Sequence, residues 1–146
     1  MIEIKDAHLL ETLFGHWPDF RNAEVLAVRL FAPRDRPAQL ELDIEVAELF
    51  RDARGVERDR QRCFTTFRFS NVLDIRVDAF RPFRQEGALG ALAFAELGAS
   101  ELEMAGDDWA GRRHRVRLVP LPGVPGAQFL CDEVAVLSAV SISHAV

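Results

Sequence analysis

A chain of 146 residues can bury one sizeable core but is short for two, so a single domain spanning 1–146 is expected. Its composition, 49% hydrophobic and 28% charged, is that of a globular protein, and no apolar run approaches the roughly 20 residues that cross a bilayer, so no membrane partner is expected. The net charge is −5, and residues 1–50 hold ten acidic side chains against five basic ones, which argues against a phosphate-binding surface and so against a nucleic-acid partner.

Residues 1–6 lack a basic stretch leading into an apolar one, so no secretory leader is expected and the cytoplasm is the expected compartment. Asp6 is placed to cap a short helix whose Leu9, Leu10, Leu13 and Phe14 repeat on one face. Gly15 supplies its stop, and Pro18 forces Trp17 out of the helical region. The period then changes to two. Residues 24–31 read as a strand with Leu26, Val28 and Leu30 on one side, and Pro33 and Pro37 bracket a turn. The clearest strand is 39–47: Leu40, Leu42, Ile44 and Val46 face one way, and Glu41, Asp43 and Glu45 the other.

The polar stretch 51–62 around Gly55 reads as a long hairpin loop, followed by strands at 63–69 and 73–80 joined by a turn at Ser70-Asn71. Residues 89–97 carry alanines that suit a helix, but Gly87, Gly90 and Gly98 oppose one at about 1 kcal/mol each, so a strand is expected. A short strand at 101–104 precedes a turn at Gly106-Asp107-Asp108-Trp109. In 112–118, His114, Val116 and Leu118 oppose Arg113, Arg115 and Arg117; a proline-rich connection at 119–125 then leads to a last apolar strand at 129–140. The expected fold class is α+β: a mainly antiparallel sheet, sandwich-like or strongly curved, with the short N-terminal helix packed on it.

Chemistry is sparse in this pattern. Cys63 and Cys131 lie in apolar strands and read as buried thiols, not as metal ligands or nucleophiles. There is no Gly-x-Ser-x-Gly elbow, no Cys-x-x-Cys and no paired histidine spacing, so no cofactor, no metal site and no catalytic residue is expected. The arginines of 112–117 read as a solvated strand face or as partners of the Glu41-Asp43-Glu45 row. That row places three carboxylates about 7 Å apart. It reads either as a water-facing sheet surface relieved by cross-strand arginines such as Arg29 or Arg68, or as a negative platform for a basic partner.

Phe14-Gly15-His16-Trp17-Pro18-Asp19-Phe20, followed by Ala23-Glu24-Val25-Leu26 opening a strand, resembles the immunity protein 50 family of bacterial polymorphic toxin systems. Phe67-x-Phe69-Ser70-Asn71-Val72 and Phe129-Leu130-Cys131 resemble later pieces of that family, in order. Where the family carries His-Asp after the last Phe of the corner, this chain has Arg21-Asn22, so a proton-transfer or metal role for that pair does not carry over. The resemblance implies a structural corner of Gly15, Trp17, Pro18, Phe20, Asn22 and Glu24. In it Asn22 or Glu24 ties the backbone amides, and Trp17 and Phe20 fill the seam between helix and sheet.

It also implies a noncatalytic protein that binds and neutralises a cognate toxin domain, with a nuclease as one option because a cationic groove suits acidic residues. The candidate contacts are Glu41, Asp43, Glu45 and Glu48, with Asp107, Asp108 and Trp109 as a second set. The alternative from a different class is an enzyme or small-ligand module with a pocket at the helix–sheet seam and His16, Asp19 and Arg21 at its mouth.

Overall fold

The computed structural model describes residues 2–21, 23–77, 89–97, 114–120 and 126–142. Its elements are β1 (Ile4–Lys5), α1 (His8–Phe14), β2 (Glu24–Phe31), β3 (Ala38–Arg51), β4 (Glu57–Val77), β5 (Leu89–Glu96), β6 (His114–Pro120), β7 (Ala127–Cys131) and β8 (Glu133–Ser141). The expected strands at 101–104 and 112–113, and the turn at 106–109, lie outside the described residues.

A helix of seven residues is far too short to persist alone, and α1 is held by burying Leu10 and Phe14 in the core. Gly15 ends it in the left-handed region at φ 79°, with its N–H on the Glu11 carbonyl at 2.7 Å. The start differs from expectation. Ala7 is the N-cap and no side chain caps the helix, while Asp6 itself takes φ 59°. A short polar side chain tolerates that backbone, so Asp6 makes the tight turn from β1 into α1 and does not cap it.

The β3 pattern folds as it reads: Leu40, Leu42, Ile44 and Val46 are buried while Glu41, Asp43 and Glu45 lie on the other face. The expected loop over 51–62 shrinks to a tight turn at 52–56. Its Asp52 Oδ1 accepts the Arg54 and Val56 amides at 2.8 and 3.1 Å, and Gly55 sits at φ 78°. The backbone ladder of β3 and β4 continues down to this turn, pairing Leu49 with Asp59, Phe50 with Arg58 and Arg51 with Glu57.

The Ser70-Asn71 reversal is a second correction. The chain does not turn back there, and β4 runs unbroken from Glu57 to Val77. Asn71 and Asp74 instead take φ 56° and 55° and bend the strand, which short polar side chains accept. The opposing strand bends with it. β7 and β8 pair in turn with successive stretches of β4, from Val77↔Ala127 to Cys63↔Ser141, with one-residue register shifts between Leu73 and Arg76 and between Thr66 and Phe67. Asn71 Nδ2 donates to Asp132 Oδ2 at 3.0 Å, and the Asp132 amide donates to the Ser70 carbonyl at 3.1 Å, so the two bends are tied together.

The sheet order is β1-β8-β4-β7-β6-β5, with β3 and then β2 leaving the other edge of β4. Among the described residues only β1, which the sequence does not mark, pairs in parallel, with β8. Residues 89–97 form the expected strand, as Leu89–Glu96. Curling brings both halves of the sheet onto one core, where Phe69 meets Phe129 edge-on at 4.8 Å and Val116 and Leu118 of β6 join Leu42 and Ile44 of β3. The fold is α+β, a curled antiparallel sheet with one short helix on it.

Candidate functional site

Side chains alternate along a strand, so Glu41, Asp43 and Glu45 share the face of β3 turned away from the core. The flanking strands set basic and polar groups on the same face. From β2, Arg29 donates to Asp43 through both terminal nitrogens, at 2.6 and 2.8 Å, and to Glu41 at 3.1 Å. From β4, Thr66 donates its hydroxyl to Asp43 at 2.8 Å and Arg62 donates to Glu45 at 2.6 Å. Arg68 stands opposite Glu41 in register.

The electrostatics follow from these contacts. The Arg29 hydrogen bonds, then that of Thr66, hold the Asp43 carboxyl below its ordinary value against the desolvation that would raise it, and the two carboxylates push the Arg29 guanidinium further up. Arg29 and Arg62 thus pair with a row that also carries Glu24 opposite Glu45, so the face mixes both signs and is not a uniformly negative platform. The arginines of β6 are not its partners: β6 pairs with β5 and β7 and lies in the other half of the sheet.

Glu48 does not belong to this face. Its even position puts it with Leu40 to Val46, on the helix side, where its Oε1 lies 2.8 Å from His16 Nε2. The other ring nitrogen of His16 is 2.9 Å from the Trp17 carbonyl, and an imidazolium is the form that donates to both acceptors. Asp107, Asp108 and Trp109 lie outside the described residues.

Beside the charged network lie apolar side chains that the pattern of 63–69 and 129–140 could have exposed and that sequence reasoning missed. Phe64 of β4 stands opposite Val140 of β8, next to Glu45 in register, and both are exposed, as is Leu137. The signal was present: Arg62, Phe64, Thr66 and Arg68 alternate with Cys63, Thr65, Phe67 and Phe69, which are all buried.

At the corner, Trp17 packs edge-on against Phe20 at 5.5 Å, Phe67 at 6.2 Å and Phe94 at 6.3 Å, and Phe20 reaches Phe67 at 5.8 Å. Pro18 and Phe20 are buried. The Arg21 amide is taken by Asp19 Oδ1 at 2.9 Å and the Ala23 amide by the Phe20 carbonyl at 3.0 Å. Glu24 is exposed and stands opposite Glu45, away from those amides, and Asn22 lies outside the described residues.

A cavity of about 360 Å³ opens beside α1, and its described lining is Ile2, Ile4, Ala7, Glu11, Trp17 and Phe94. His16, Asp19 and Arg21 are not among those residues, so the seam does not bring them together at its mouth. Burial pushes the Cys63 thiol up to about 11, and burial with the Asp132 charge pushes Cys131 up to about 12, so both stay protonated at neutral pH. Among the described residues no group of His, Cys, Asp and Glu could hold a metal ion, and no helix is long and apolar enough to cross a membrane.

No protein-family model, curated protein or solved structure matches this chain.

Proposed function

We propose that this chain is a noncatalytic immunity protein that binds a cognate bacterial toxin domain through the outer face of β2, β3, β4 and β8. The observation that carries the reading is the network of Arg29, Glu41, Asp43, Thr66, Glu45 and Arg62 set against the exposed Phe64 and Val140. Side chains already fixed by one another lose little freedom when a partner lands on them. Their alternating signs penalise a partner of the wrong pattern, and an aromatic ring beside charges is a common anchor of interface energy. The likeness of the Phe14–Phe20 corner to the immunity protein 50 family supports the same reading.

The test is co-expression with the C-terminal domain of a large secreted protein encoded in the adjacent reading frame. Wild type is expected to restore growth, and Phe64→Lys and Val140→Lys, made singly at exposed positions outside the ion-pair network, to lose protection without a change in melting temperature. Wild type that fails to protect sinks the immunity reading. Full protection by both variants leaves immunity standing and rejects this face.

A small-ligand module is the second reading, favoured by the cavity beside α1. A ligand there would shift the emission of Trp17, read in a Trp109→Phe background. It ranks below the binder because Glu11 is the one charged side chain in the described lining, and His16, Asp19 and Arg21 are not part of it.

A further inference from the structure

We propose that β2 pairs with β2 of a second copy of this chain, joining two curled sheets through an antiparallel, two-fold contact. This inference does not rest on the immunity reading, which uses a face of the sheet and not its edge.

Among the described residues β2 is bonded on one side only, to β3, so its far side presents unpaired N–H and C=O groups along eight residues. Its aliphatic side chains are uncovered as well: Leu26 is 42%, Val28 41% and Leu30 52% exposed. Val28 and Leu30 stand opposite Leu42 and Leu40, on the core side of the sheet, where the strand overhangs what the core covers. Natural edges are usually blunted by lysine, proline or an inward charge. β2 holds no lysine and no proline, and its one irregularity is a bulge between Val25 and Ala27 that leaves 27–31 regular.

The order of the side chains selects a copy of itself as the occupant. Leu26-Ala27-Val28-Arg29-Leu30 reads nearly the same in both directions. Antiparallel pairing pivoted on Val28 sets Val28 against its own equivalent and Ala27 against Arg29, with Leu30 meeting Leu26 at the bulge. The one charge in the segment then meets a small neutral side chain, and its guanidinium stays on Asp43 and Glu41. Moving the pivot to Arg29 would oppose two guanidiniums, and moving it to Ala27 would set Leu30 against Glu24. Like charges face to face and a carboxylate against an aliphatic both destabilise a sheet pair, so the Val28 register wins. An interface that meets its own equivalent closes as a dimer and does not propagate.

The experiment is sedimentation equilibrium of the full chain over a range of concentrations. Wild type is expected to reach twice the chain mass. Val28→Lys is expected to halve it, and to remove the rise of melting temperature with protein concentration that the dimer gives wild type. Opposed Cα atoms in such a pair lie about 4.5–5.5 Å apart, within disulfide reach, so Val28→Cys is expected to cross-link under mild oxidation while the buried Cys63 and Cys131 stay reduced. A wild type that stays monomeric at every concentration overturns the dimer and leaves the edge to a strand of another protein. A dimer that survives Val28→Lys overturns it too, and a dimeric Val28→Cys that fails to cross-link overturns the Val28 register.

Discussion

Arg29 reaches two carboxylates at once, and what it does to Asp43 sets a pH dependence that can be measured. The folded carboxyl lies below its ordinary value of 3.8, chiefly because Arg29 bonds the ionised form. A lowered carboxylate contributes stability that is complete above the unfolded value and fades as pH falls through the folded one. Arg29→Gln is therefore expected to be less stable than wild type at neutral pH, with urea midpoints that converge as pH drops below 3.8. A gap that stays constant into acid would mean that the Arg29 contacts contribute nothing through charge. Gly15 makes a simpler case. A Cβ there meets nothing within 4 Å, so the cost of Gly15→Ala is backbone strain alone, about 1 kcal/mol by urea denaturation, and Gly15→Asn should cost less.

At the scale of elements, the bend in β4 depends on residues that accept a left-handed backbone in mid-strand. Asn71→Val places a β-branched side chain at φ 56° and removes the bond to Asp132, for an expected loss of about 2 kcal/mol in the same assay. Asn71→Gly keeps the backbone and is expected to cost less. This bend also shows what was readable in the sequence and why the rest was not. Where one face is buried and the other wet, as in β3, alternation fixed the strand and the side on which Glu41, Asp43 and Glu45 stand. Ser-Asn between two apolar runs has the composition of a turn, yet composition does not separate a reversal from a bend; that depends on whether a third segment lies alongside to be paired. Here 127–141 does, from more than fifty residues away. Glu48 was readable and misassigned, since parity alone put it on the helix side. The partners Arg62 and Thr66 required the β3–β4 register, which the tight 52–56 turn sets and a long loop would not.

For the whole molecule, the two thiols report on the integrity of a single core. Cys63 is buried in β4 and Cys131 in β7, in opposite halves of the curl, and both are held as thiols. Labelling by a disulfide reagent at neutral pH is expected to be slow for both and to accelerate with urea at one common rate, that of global opening. Two separate rates would show that the halves open independently. The common rate is expected because β4 is a member of both halves: its first stretch bonds β3 and β8, and its last residues bond β7, without a loop to decouple them. A backbone shared in this way works like a mast carrying two sails. Cutting the chain near residue 71 would sever the support of both halves at once, so a protease nick there should release no trimmed, still-folded remnant, and any homologue that lengthens this segment must lengthen its partner across from it by the same amount.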